Sequence, residues 1–444
     1  MIDRRRFVAA GCASAAAFMI GATRLCAQSP AVVRPEDHGA RGDGRSDDTA
    51  ALQAAMNAAP AGGRLRLRSG AVYRIDTNAN PSSGAFGGLR VKSGVTLELN
   101  GAELRALPSG EGSGAVVQAY RANGWRIVGP GRISGERSVH RGRAGEWGQG
   151  IAIFGSADWT VGSDLEVTGC WGDGIYAGYV PGRADSYCSG FTIEDVHIHD
   201  CRRNGISLVG ARRGIIRGVD IHDIDGTSPM AGIDLEPDSA AHSNRHILID
   251  QATIGRVQLG VGVAVANDQV RITRSRIEAV NSGIILSDHS RGIEIVDNVR
   301  IANTAGGVEG AAIRTVAAQG ATIDGVTIRN NLIAGGGWFV LEFTHAGYRN
   351  VTIAGNRIHA SNAGAVGIAR MLDGGTFTDN VAVIEQAAGR AGADQYYIQF
   401  HDVVYRGNSF ESRSPLRLRG LLNRTRDLGG NVVRTPDRLQ HVSY

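Results

Sequence analysis

Lysine is almost absent from this chain. Lys92 is the only one among 47 basic residues, so chemistry that needs a lysine amine is confined to one position. Proline is scarce at 11 residues and aromatics make up 6%, which excludes proline-rich linkers and argues against an aromatic-heavy core. The longest apolar stretch, Val8–Ile20, falls short of the ~20 residues that span a bilayer. Neither a collagen-like glycine period nor a block of like charge is present. What is abundant is glycine, 63 of 444 residues, together with short runs of Val and Ile. That combination points to many short strands joined by tight turns.

The start of the chain reads as a targeting segment rather than as fold. Arg4, Arg5 and Arg6 precede Phe7 and the apolar run, and small residues close it at Cys26-Ala27. Paired arginines before Phe resemble a twin-arginine signal, which implies the translocase as a partner and a periplasmic or secreted destination. Residues 1–27 are therefore expected to be removed, leaving a single domain over 28–444 with no stable membrane span. Removing four arginines and one aspartate takes the formal charge from +4 to +4 − 4 + 1 = +1. A nearly neutral protein gives no reason to expect nucleic acid. Cys170, Cys188 and Cys201 remain, an odd number that permits at most one intrachain disulfide.

Apolar runs with period-two alternation recur every ~22–33 residues, the range in which a period signals a solenoid. LEVTGC (165–170), VHIHDC (196–201) and VDIHDI (219–224) match position by position. Stacked as successive coils, they set Cys170 over Cys201 about 4.8 Å away. Parallel Cβ vectors make bridging awkward, so a stacked pair is expected, with Cys188 in a loop. Asn331, Asn356, Asn380, Asn408 and Asn431 recur at matching turns, where amides can bond along a column.

A second strand, opening with Gly, follows each of these. Ile175, Ile206, Ile233, Val263, Ile284 and Ile313 form one expected buried column; Ala177, Leu208, Leu235, Val265, Leu286 and Thr315 form the next. Alternation then turns Tyr176, Ser207, Asp234, Ala264, Ile285 and Arg314 outward, and Glu236 with them. The expected fold is all-β: a single solenoid of stacked coils.

The N-terminal stretch DHGARGDGRSDDTAALQAAMNAA (37–59) resembles the opening of the pectate-lyase-like superfamily of right-handed parallel β-helices. The resemblance implies a Gly42-Asp43-Gly44 turn, Asp47 or Asp48 as N-cap, and a helix over 50–58, with a cap spanning about 37–61. The signal and repeats together also resemble a group of exported bacterial repeat proteins of unassigned function. Members of the superfamily act on polysaccharides along the outer strand face. Asp173 in GDGIY matches the first acid of the polygalacturonase-like pattern. The following coils carry Asn204 and Ala231 where that pattern needs acids, so its activity is not transferred.

What remains is the sequence AGIDLEPD (231–238). Asp234 and Glu236, two apart on a strand, have Cα atoms roughly 6.6 Å apart. Hydrolytic carboxyl pairs stand about 5–9.5 Å apart, so spacing alone does not choose a mechanism. Close acids push one pKa upward and give an acid beside a base. With Asp238 they also offer hard oxygens suited to Ca²⁺. The expected catalytic set is Asp234, Glu236 and Asp173. Tyr176, Trp171, Arg203, His199 and His222 are the expected substrate contacts. Hydrolysis or elimination on a polysaccharide is the leading expectation; the alternative is a non-catalytic envelope protein that binds glycan or serves as scaffold.

Overall fold

A computed structural model describes residues 30–444 except 82–85, 184–185, 306–309, 317–320, 336–338, 345–346, 361–366, 385–397, 413–419, 436–437 and 442–444. The segment read as an export signal lies outside the described residues. Ala31–Tyr444 forms a compact unit of its own. Its strands wind in coils and pair in parallel with the coils before and after, except at the end, where Arg438–His441 pairs antiparallel with Val432–Thr435. Three sheets result. Sheet A stacks Ser113–Tyr120, Trp147–Phe154, Ile175–Gly178, Asn204–Val209 and Ala231–Leu235. It continues through the C-terminal halves of Thr253–Val263 and Arg276–Ser287. Sheet B contains Arg126–Val128, Ala211–Arg217 and Arg245–Asp250. Sheet C contains Gly131–Ser134, Asp220–His222 and the C-terminal halves of Thr160–Thr168 and Cys188–His199.

Alternation places Ile175, Ile206 and Ile233 in one buried column, as expected. The next coil differs. Val261, not Val263, pairs with Ile233, and Val263 pairs with Leu235. The expected register was two residues out there. A slip of two preserves inside and outside, so the hydrophobic pattern alone cannot detect it. The consequence is that Gly262, not Ala264, lies beside Asp234.

Glycine opens the sheet A strands because the corner from sheet C has no room for a side chain. A Cβ at Gly174, Gly205 or Gly232 would lie 2.8, 2.6 or 2.9 Å from the carbonyl oxygen of the next coil's glycine. Trp125, Trp159 and Phe191 stack face to face in the core at 5.3 and 4.6 Å. Gly214 ends that stack, since a Cβ there would meet the Phe191 ring at 2.1 Å. Later coils carry an amide ladder: Asn298, Asn331, Asn356, Asn380 and Asn408 each donate Nδ2 to the next Oδ1 at 2.9–3.1 Å, ending on Asn431, whose own Nδ2 donates to Asp427.

The helix Thr49–Ala58 buries Leu52, Ala55 and Met56. Asp48 is its N-cap residue but makes no capping bond. Its carboxylate instead accepts the Arg41 and Gly42 amides, tying down the Gly-Asp-Gly turn. Asp47 accepts the Thr49 amide and hydroxyl. Cys170, Cys188 and Cys201 are free and buried. Cys188 opens the strand Cys188–His199 rather than sitting in a loop, because the sheet B pairing begins there with Ala211. No helix among the described residues is long and apolar enough to cross a membrane.

Candidate functional site

Asp173 occupies the corner turn just before sheet A. It is fully buried, and Arg203 Nη1 reaches both of its oxygens at 3.3 and 3.2 Å. The Asn204 amide donates to the same carboxyl at 3.1 Å. Burial pushes the Asp173 pKa up to about 6, against the opposing pull of Arg203, Ser207 and Asn204. Gln149 Oε1 accepts the Asp173 amide at 2.6 Å and fixes the turn from the preceding coil.

One coil on, the Asn204 side chain spans to the next strand. Its Nδ2 donates to Ser207 Oγ at 3.0 Å and to Asp234 Oδ2 at 3.2 Å, and its Oδ1 accepts the Ala231 amide. Asp234 belongs to the outward column yet is only 4% exposed. Its Oδ1 leans over Gly262, where a Cβ would stand 2.8 Å away. Outward therefore does not mean wet here: Asn204, Ser207 and the bare glycine enclose the carboxyl. Burial, then the neighbouring Glu236 and Asp173, raise the Asp234 pKa well above the usual range, with Arg203 opposing. Glu236 stands on the same side, half-exposed, with Oε2 4.0 Å from Arg203 Nη2. Burial works against the charge on Arg203, but Asp173, Asp234 and Glu146 outweigh it and hold the guanidinium more firmly protonated.

Other expected contacts fall elsewhere. Asp238 does not join the acids; it accepts the Tyr179 hydroxyl at 2.7 Å. Among the described residues no three of His, Cys, Asp and Glu converge as a metal-holding group, so the Asp234–Glu236–Asp238 trio does not assemble. Trp171 offers no open face for a sugar. His140 stacks on it at 3.7 Å and Arg202 lies over it at 4.0 Å. One ring has two faces, and both are covered. Tyr176 packs against Phe154 and Phe86 at 5.4 and 6.4 Å in a small apolar cluster outside the main core. His199 and His222 do stack, at 5.2 Å, but on sheet C, not beside the acids of sheet A. His199 is held by Glu166 at 3.0 Å and Asp200 at 2.7 Å. Matching positions on adjacent coils showed the pair; which sheet they belong to depends on where each coil turns.

Sequence reasoning missed Asn204 and Gln149, the neutral amides that position the two buried acids. Asn204 stands where the polygalacturonase-like pattern needs an acid, and a polar residue before a corner glycine is the signal that marks it. A groove of about 1050 Å³ runs along the corner between sheets C and A, lined by Arg137, Asp200, Asp223, Asp225, Arg256 and Glu278 among others. None of the expected acids lines it.

A family model described as a right handed beta helix region matches residues 138–309, the stretch that contains these coils. The chain is a right-handed parallel β-helix. Mannuronan C5-epimerase AlgE1 of Azotobacter vinelandii is 33% identical to this β-helix over 174 residues, 38% of this chain and 10% of the epimerase. Alginate lyase 7 of the same organism is 31% identical over 172 residues, 38% of this chain and 17% of the lyase. The β-helix thus spans a small part of the curated relatives it matches. Among solved structures, pre-mature bacteriophage phi29 gene product 12 superposes with a TM-score of 0.64 at 13% identity, covering 93% of this chain and 58% of that one. At that identity the likeness is one of fold.

Proposed function

We propose that this β-helix acts on a uronate-bearing polysaccharide at the outer face of sheet A, by proton transfer at the carbon next to the uronate carboxylate. The observation that carries the reading is the grouping of a buried Asp234, a half-exposed Glu236 and the cation Arg203 on one strand face. Arg203 would take the sugar carboxylate and lower the cost of removing the adjacent proton. Glu236, the solvent-side acid, would remove it. Asp234, whose raised pKa keeps a proton available, would donate to the departing glycosidic oxygen. Loss of that oxygen is elimination; return of the proton to the opposite face is epimerisation. The names of the two curated relatives, one an epimerase and one a lyase, fit this shared step. Asp173 holds Arg203 and is a positioning residue. Hydrolysis, the other enzymatic route open to a carboxyl pair, would use the same acid.

A second reading is a glycan-binding or scaffold protein. It is favoured by one observation: Asp173 and Asp234 are already bonded to Arg203 and Asn204, a network that needs no substrate to be satisfied. We take the protein to be exported, periplasmic or secreted, as the twin-arginine-like start supports, with one β-helix domain after it. The test is a panel of polyuronates and neutral glycans. Unsaturated ends are followed by ultraviolet absorbance, new reducing ends by colorimetry and inversion by proton NMR, each repeated with Asp234→Asn. Turnover on polyuronates that Asp234→Asn abolishes supports the enzyme. Binding without turnover supports the second reading, and no binding to any glycan removes both.

A further inference from the structure

Four tryptophans lie among the described residues, and three are fully engaged. Trp125 and Trp159 are buried in the core stack, and Trp171 is covered on both faces. Trp147 is different: it is 49% exposed on the first residue of a sheet A strand. A large exposed indole costs solvation and is a recurrent mark of a recognition surface.

Its position is fixed by three stacked coils. A Cβ at Gly172 would lie 2.4 Å from the Glu146 carbonyl oxygen, and the Gly172 carbonyl accepts the Arg203 amide at 3.1 Å. Glu146-Trp147, Gly172 and Arg203 therefore occupy successive rungs, which sets Trp147 and Arg203 about 10 Å apart along the sheet. The rung between them carries the buried Gly172, next to Trp171. Two buried donors beside this strip lack acceptors. Gln149 commits Oε1 to the Asp173 amide and leaves Nε2 without a partner; Arg203 Nε is likewise unpaired. Gln149 is only 1% exposed.

We infer that Trp147 is the stacking platform of a sugar subsite, with a pyranose ring on the exposed indole and the carboxylate of the bound chain directed to Arg203. The ligand class is a polyuronate. The inference deepens the reading above and rests on it. An indole face suits the apolar C–H face of a pyranose, and the guanidinium one rung further suits a carboxylate.

The experiment is affinity electrophoresis of the full protein through gels containing polymannuronate, polygalacturonate or a neutral glucan, with Trp147→Ala, Trp147→Phe and Trp147→Leu. Wild type is expected to be retarded by a polyuronate and not by glucan. Trp147→Ala and Trp147→Leu should bind about tenfold more weakly, and Trp147→Phe should stay within about threefold of wild type. Melting temperatures should be unchanged, as suits an exposed side chain. If Trp147→Ala melts early, Trp147→Leu, which fills the space without a ring, decides. Retarded wild type with equal retardation of Trp147→Leu overturns the subsite and leaves the proposed function standing. Equal binding to glucan overturns the carboxylate assignment. Wild type that binds no polyuronate overturns both.

Discussion

Asn204 Nδ2 and Asp234 Oδ2 lie 3.2 Å apart across two coils, so a neutral amide, not a cation, is the direct partner of the buried Asp234. This pairing explains how Asp234 stays in place in either protonation state. An arginine in that role would hold the carboxyl ionised; an amide bonds to it without adding charge. The cation of the site sits instead between Asp173 and Glu236.

Asp234→Asn should separate chemistry from stability. The substitution keeps the shape and can still accept from Asn204 through its carbonyl oxygen, but cannot supply a proton. Turnover is expected to fall by about 10²–10⁴-fold, the usual worth of a positioned acid. The thermal midpoint should hold or rise at neutral pH, because the raised pKa of Asp234 means that the folded state disfavours its charged form. Calorimetry beside a product assay checks both; a large drop in melting temperature would make Asp234 structural.

Stability should fall as pH rises from about 4 to about 6. Asp173 has a folded pKa near 6 against an ordinary 3.8, so the folded chain holds its proton more tightly than the unfolded one. The sign follows from linkage: the contribution is full below the unfolded pKa and is lost as pH climbs through the folded one. A shift of this size corresponds to at most ~3 kcal/mol. Urea melts at closely spaced pH values should show the slope in wild type and a flatter curve in Asp173→Asn.

Asn356→Ala should cost about 2–4 kcal/mol, far more than an exposed amide. Asn356 Oδ1 accepts both the backbone amide and Nδ2 of Asn331, and its own Nδ2 serves Ile328 O and Asn380 Oδ1. Removing it strands buried donors on one side and an acceptor on the other, and each unmet buried group costs about 1–3 kcal/mol. Denaturant titration measures the loss; a change below about 0.5 kcal/mol would mean that water replaces the rung.

The fold was legible because its signals repeat. Period-two alternation, corner glycines and recurring asparagines each appear on many coils, so one ambiguous coil is outvoted by its neighbours. The ladder shows this: five of its asparagines stand out by their recurrence at matching turns, and Asn298, inside the run 292–301, proves to be a sixth rung. The site was less legible because it depends on single events. Whether Val261 or Val263 faces Ile233 is invisible to a pattern of period two, yet it decides that a glycine and not an alanine borders Asp234. Trp171 and Tyr176 read as sugar contacts because aromatics beside acids often are. Arg202 sits one coil over Trp171, at the 31-residue offset of the repeat, and Phe154 on the coil before Tyr176; His140 and Phe86 come from segments outside the repeat that sequence spacing does not place.

Gly232→Ala should damage the site through the corner on which it is built. A Cβ at position 232 would stand 2.4 Å from Ile254 Cγ2 and 2.9 Å from the Gly260 carbonyl oxygen. Neither neighbour can yield freely: Ile254 is buried in the core and the carbonyl belongs to the next coil's backbone. Relief requires the strand 231–235 to shift, which carries Asp234 away from Asn204 and Glu236 away from Arg203. The expected cost is about 1–3 kcal/mol in stability, the range for overpacking, with loss of polyuronate turnover beyond what that destabilisation explains. Gly255→Ala is the control, since a Cβ there meets nothing within 4 Å and should be nearly silent. If both variants melt and turn over alike, the corner tolerates side chains, and the geometry of the Asp234 strand does not depend on its opening glycine.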